Sequence, residues 1–173
     1  MIGISTVALV GLDIGFHSVK IAEVVARKKA QAVKRLIVVP TGNSPAMSEQ
    51  EREDRLVQVL QQAWKQHGIR TKRVHAVIPG RSVFYRPLRI PLVTGDRLEK
   101  IVRYEAKQQI PFPLEQVLLQ HHIFGGAGGE LEGVLIALRR DTVEDYVRVL
   151  GRAGLRPDLI DVSTLSLFNA TRA

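Results

Sequence analysis

Apolar positions crowd the start of the chain. Val7 to Asp13 is a near-continuous apolar run, the pattern of a strand covered on both faces. Gly15 interrupts it, and Ser18 to Ala26 resumes as a second strand. Arg27 to Ala30 reads as a solvated turn, and Gln31 to Val39 as a third strand closed by Pro40. Three strands in meander order therefore open the protein. Ser48 with Glu51 three residues on is a capping box. It predicts a helix whose Leu56, Leu60, Ala63 and Trp64 share one face and which stops at Gly68. Val74 to Ile78 is the next strand, halted by Pro79-Gly80.

The texture then changes. Val83 to Ile90 reads as a strand, and its internal Pro87 makes it an edge or a bulged strand. Thr94 is placed to cap a helix lined by Leu98, Ile101, Val102 and Ala106. The prolines of IPFP end that helix near Gln109. Val117 to Phe124 and Gly133 to Leu138 flank GGAGGE, which predicts a hairpin with a loose, glycine-rich tip. Asp141 with Glu144 forms a second capping box, opening a helix with Val143, Tyr146, Val147 and Leu150 inward and Gly154 at its end. Pro157 to Val162 is a short strand, and Ser163 starts a last helix. Residues 1–80 with 141–173 are thus expected to form one subdomain, and 81–140 an inserted strand–helix–strand–strand module.

Bulk properties narrow the functional classes. Apolar residues make up 45% and charged residues 24%, ordinary for a globular chain of 173 residues. There is no Cys, which excludes disulfides, thiolate chemistry and Cys-based zinc sites. The N-terminal stretch lacks a basic n-region and is broken by Asp13; no segment reaches the roughly 20 apolar residues of a membrane span. A cytoplasmic location is expected. The formal charge of +8 favours anionic partners: nucleotides, nucleic acid or the cytoplasmic leaflet. The basic residues are scattered without interleaved aromatics, so nucleic acid is not expected as a partner.

The stretch GLDIGFHSVKIAEV, residues 11–24, carries the candidate chemistry. Asp13 ends the first strand, placed to hold a hydrated Mg²⁺. Gly15 permits a tight turn whose N–H groups face an anion. Ser18 adds a hydroxyl, and Lys20 a positive charge on the same side of the second strand. A bulged hairpin with a fortuitous Asp and Lys is the bland alternative. IPFP fixes an extended corner that projects Phe112, whose ordinary role is to plug the core between helix and sheet. Successive on one strand, His121 and His122 point to opposite faces and cannot share a metal.

The D-x-G-x-x-S-x-K pattern resembles the first phosphate loop of the actin-like ATPase superfamily, which includes sugar kinases and the division protein FtsA. EAKQQIPFPLEQVLLQHHI (105–123) resembles a signature of the PilM family of type IV pilus assembly proteins. VHAVIPGRSVFYRPLRIP (74–91) and AGLRPDLIDVSTLSL (153–167) are similar to further segments of that family. The resemblance implies an α/β fold: an actin-like, ribonuclease-H-like core with an inserted strand–helix–strand–strand module. It implies a nucleotide site at Asp13, Gly15, Phe16, His17, Ser18 and Lys20, with ATP and Mg as cofactors and Asp13 as the metal residue. Phe16 and His17 depart from the family's small Ser or Thr residues and crowd that pocket; His17 reads as a loop residue rather than a base.

As the family resemblance implies, the chain is a cytoplasmic scaffold at the cytoplasmic face of the inner membrane. Its expected partner is the N-terminal peptide of a PilN-type inner-membrane protein, held in a groove between core and module. Val83, Tyr85, Leu98, Ile101 and Phe112 are the expected contacts. The family's second phosphate loop and adenosine pocket lie beyond Ala173, so this chain alone is expected to bind ATP weakly or not at all, without turnover. The alternative is an ATPase or phosphotransferase that needs that second half. Actin-like cores and exposed module edges also leave self-association open.

Overall fold

The structure, a computed structural model, describes residues 7–27 and 30–171. In chain order it contains β1 (Val7–Ile14), β2 (Ser18–Arg27), β3 (Ala30–Pro40), α1 (Glu49–Gln66), β4 (Arg73–Ile78), β5 (Val83–Pro91), α2 (Asp96–Gln109), β6 (Val117–Ala127), β7 (Glu130–Arg139), α3 (Arg140–Arg152), β8 (Arg156–Val162) and α4 (Ser163–Thr171). The chain divides into two units, Met1–Gly80 with Asp145–Ala173, and Arg81–Glu144. Among the described residues no helix is long and apolar enough to cross a membrane.

Unit 1 is built on a five-stranded sheet ordered β3-β2-β1-β4-β8. The first three strands form an antiparallel meander, while β4 and β8 run parallel to β1. Alternation sends Val10, Leu12 and Ile14 of β1, Val19 and Ile21 of β2, and Val74 and Ala76 of β4 to one face. The apolar stripes of α1 (Val57, Leu60, Ala63, Trp64) and α3 (Val149, Leu150) close over that face. Trp64 is fully part of this core, and its Nε1–H donates to the Thr71 carbonyl at 2.9 Å, so its one polar atom is satisfied.

The start of α1 is built as expected: the Ser48 hydroxyl accepts from the Glu51 N–H, and the Glu51 carboxylate accepts from the Ser48 N–H at 2.7 Å. The hydrogen bonds from Ser48 hold the Glu51 carboxyl below its ordinary range. α3 departs from expectation. It begins at Arg140, and the Asp141 carboxylate is taken up by the Thr142 N–H and by Arg139 instead of serving a capping box with Glu144. Val147 is exposed, because the buried stripe is centred on Tyr146, Val149, Leu150 and Ala153 and leaves Val147 on its rim.

Unit 2 is a three-stranded antiparallel sheet, β5-β7-β6, with α2 across one face. The edge position of β5 agrees with Pro87, which sits opposite Val134 of β7. Leu88, Ile90, Val117, Leu135 and Ala137 meet Val102 and Ala106 of α2. Phe112 lies against this cluster, edge to face with Phe84 at 5.1 Å, with the Arg139 guanidinium 5.4 Å above its ring. The glycine-rich tip is tighter than expected. β6 runs on through Ala127, and only Gly128 and Gly129 form the turn, both with positive φ (63° and 86°), the geometry of a type I′ hairpin. Gly95, not Thr94, occupies the N-cap of α2, so no side chain caps that helix.

An ion-pair cluster ties α3 to α1. Arg148 and Arg152 both donate to Glu53 Oε1, while Arg152 also reaches Asp54 Oδ1 at 2.6 Å. The Glu53 side chain is only 10% exposed. Chiefly through the Arg148 hydrogen bond, and against its own burial, the Glu53 carboxyl titrates below its ordinary 4.5. A depressed folded value means the stabilisation is complete above the unfolded value and fades as pH falls through the folded one. Glu53→Gln should therefore cost about 1 kcal/mol near neutrality. In urea unfolding the difference from the parent should shrink towards zero as pH is lowered below 4.5.

Candidate functional site

The β1–β2 hairpin ends where the predicted chemistry lies. Asp13 is registered opposite Lys20, on the sheet face away from the α1–α3 core. Lys20 Nζ donates to Asp13 Oδ2 at 2.8 Å, and both side chains are substantially open to solvent. Ser18 is two residues before Lys20 on β2 and so shares its face. The residue types of a phosphate site are thus brought together, but carboxylate and ammonium satisfy each other. An exposed pair of this kind contributes little net stability.

Gly15 has a steric task. A Cβ on it would come 3.0 Å from the Ser18 carbonyl and 3.5 Å from Lys20 Nζ. Its own N–H, however, donates to the Ser18 carbonyl at 3.0 Å, so it closes the hairpin instead of facing an anion as expected. Phe16 and His17 stack edge to face at 4.9 Å, with His17 exposed at the tip.

Two residues missed by sequence reasoning hold this tip. Thr41, 1% exposed, donates from Oγ1 to the Phe16 carbonyl, and its N–H donates to the His17 carbonyl at 3.0 Å. Asn43 Nδ2 donates to the same Phe16 carbonyl at 3.1 Å. The only sequence signal was their position just after Pro40, at the end of the strand paired with β2. Asp161 is a third omission. It is registered with Val77, which is registered with Asp13, so the two carboxylates share one row and one face. Two strand spacings put them about 10 Å apart, too far to ligate one Mg²⁺ directly. Asp161 is itself engaged by Ser166 Oγ and the Val162 N–H. Asp13, Lys20 and Ser18 thus share one face of the sheet at the hairpin end, with Asp13 and Lys20 paired to each other.

The expected peptide contacts do not form one patch. Leu98, Ile101 and Phe112 pack into the α2-side cluster of unit 2. Val83 and Tyr85 belong to the opposite face of the sheet, because β5 sends Phe84, Leu88 and Ile90 towards α2.

Comparison with known proteins places the chain. The sequence profile described as "Type IV pilus assembly protein PilM" matches residues 11–173. The chain belongs to the PilM family of type IV pilus assembly proteins. A chain of the PilM-PilN type IV pilus biogenesis complex is 26% identical, superposes with a TM-score of 0.75 and covers 91% of this chain. The cytoplasmic domain of EpsL, an inner-membrane component of the type II secretion system of Vibrio cholerae, has the same fold at a TM-score of 0.55 and 13% identity, covering 90% of the chain. Type II secretion system protein L of Xanthomonas campestris pv. campestris is 28% identical over 71 residues, 40% of this chain and 19% of that protein. This chain spans 48% of the PilM chain and 57% of the EpsL domain, about half of each.

The PilM-type hairpin should lean on Thr41 more than on its exposed ion pair. Thr41→Val leaves the Phe16 carbonyl short of a buried donor and should cost about 1–2 kcal/mol in urea unfolding. Lys20→Met should cost well under about 1 kcal/mol. The reverse order would show that the ion pair, not the buried hydroxyl, holds the loop.

Proposed function

We propose that this chain works as a scaffold of type IV pilus machinery, binding the N-terminal cytoplasmic peptide of a PilN-type inner-membrane protein, and that its hairpin is half of a nucleotide site. The observation that carries the first part is the similarity, over 91% of the chain, to a protein solved as a PilM-PilN complex. The physical support lies in unit 2. β5 is an edge strand with one side unpaired, and an extended peptide adds to such an edge through main-chain hydrogen bonds while side-chain pockets give selectivity. Tyr85, on the face of β5 turned away from α2, is the side chain offered to a peptide added at that edge, while Leu98 and Ile101 belong to the cluster on the other face. In this reading the protein sits at the cytoplasmic face of the inner membrane because its partner is anchored there.

Titrating a fluorescent PilN-type N-terminal peptide into the chain should give saturable micromolar binding, weakened about tenfold by Tyr85→Ala. A flat titration into the high micromolar range would remove the peptide reading.

The second reading, an ATPase or phosphotransferase that needs a further half, rests on the Asp13–Lys20–Ser18 constellation. Phosphate sites of this fold grip from two sides, and the residues assembled here furnish one. Calorimetry with Mg-ATP should therefore find binding no tighter than millimolar and no release of phosphate. Low-micromolar affinity would favour the enzyme over the scaffold.

A further inference from the structure

The end of unit 1 opposite the hairpin has a different chemistry. One register row crosses the sheet there: Arg35 faces Glu23, Glu23 faces Val10, Val10 faces Val74, and Val74 faces Pro157. Because β4 and β8 start at this margin, parallel to β1, Arg70, Lys72 and Arg156 collect along it. All three are exposed, and among the described residues their side chains have neither an ion pair nor a hydrogen bond.

Within this margin lies a cleft of about 370 Å³, lined by Glu23, Lys34, Arg35, Arg70 and Thr71 among others. Its volume is at the small end of ligand sites. Glu23 is 4% exposed at its base. The β2–β3 register slips between Glu23 and Val24, which leaves Lys34 as an extra residue on β3. Neighbouring strand residues normally face opposite ways, but a bulge turns both to one side. Lys34 Nζ thus reaches Glu23 Oε1 at 3.1 Å, and Arg35 Nε stands 2.8 Å from Oε2. That second contact is an ion pair out of hydrogen-bond alignment, so the buried Oε2 accepts no hydrogen bond.

Two demands follow for a ligand. Three cations face one carboxylate, so the excess charge asks for an oxyanion. The unserved buried acceptor asks for an O–H donor beside that oxyanion. A glycerophosphate headgroup, a phosphodiester with neighbouring hydroxyls, meets both. The open cations Lys72 and Arg156 alongside suit a surface of such groups better than a single soluble ligand.

We propose that this margin of unit 1 docks directly on an anionic phospholipid surface. A phosphatidylglycerol headgroup enters the cleft, with its phosphate on Arg35 and Arg70 and a hydroxyl on Glu23 Oε2. This contact is independent of the peptide reading, since it needs no protein partner.

Co-sedimentation of the full chain with vesicles tests it. Vesicles of phosphatidylcholine with about one third phosphatidylglycerol should retain the protein, with retention lost as salt rises, while pure phosphatidylcholine should not. Arg70→Ala/Lys72→Ala should weaken retention roughly twenty-five-fold, at about fivefold per basic side chain. Arg103→Ala/Lys107→Ala removes the same charge from α2 and should leave retention unchanged. Glu23→Gln, which removes a negative charge, should strengthen retention on vesicles of equal charge made with a lipid lacking headgroup hydroxyls, and should strengthen it less on phosphatidylglycerol, where the hydroxyl contact to the carboxylate is lost. No retention on phosphatidylglycerol, or equal loss in both double variants, overturns the proposal. So does tight binding of soluble glycerol phosphate that abolishes retention, which would make this a free-phosphate site.

Discussion

Everything at the hairpin end depends on the register of β1 against β2. Asp13 meets Lys20 because Val10, Leu12, Ile14, Val19 and Ile21 must all enter the core on the opposite face. A slip of one residue would expose that whole apolar set and bury the two charges. The ion pair does not set the pairing; the core does, and the charged residues are carried to one point by it. A weak, solvent-open contact can therefore be placed reproducibly without being strong.

The same register logic runs the length of the sheet and separates two chemistries. One row, from Val38 through Lys20, Asp13 and Val77 to Asp161, carries the hairpin site. Another row, three residues back, carries Arg35 and Glu23. Three strand residues are about 10 Å and an odd number, so the two rows send their side chains to opposite faces of the sheet. The core between them is clamped by α1 and α3, whose contact is reinforced by a carboxylate shared between two arginines. Rigid elements thus hold both surfaces of unit 1. Unit 2 follows a different plan, with an uncapped helix on a small antiparallel sheet and a free β5 edge.

Where the sequence was legible, the reason was local. The capping box at Ser48 and Glu51, the edge placement announced by Pro87 and the stacking of Phe112 into its own module all follow from short-range rules. Where it misled, local signals competed. Thr94 offers a good cap, but the chain turns one residue later at Gly95. GGAGGE looks like a loose loop, but cross-strand pairing with β7 recruits Gly125 to Ala127 into β6 and leaves only a two-residue turn. Val147 fits the helical period, but α1 covers a narrower stripe than the period suggests.

Hydrophobic alternation and punctuating glycines and prolines were enough by themselves to determine the strand and helix order, and the resemblance of several collinear segments to the PilM family pointed to the family. Those properties are encoded by residues near one another in the chain. Only the tertiary structure decided which distant residues join them. It set Thr41 and Asn43 under the hairpin tip, put Asp161 in the row of Asp13, and gathered Glu23, Lys34, Arg35 and Arg70 around one cleft. Parallel pairing of β1, β4 and β8 and a bulge on β3 bring those groups together, and neither feature leaves a trace in the local pattern of residues.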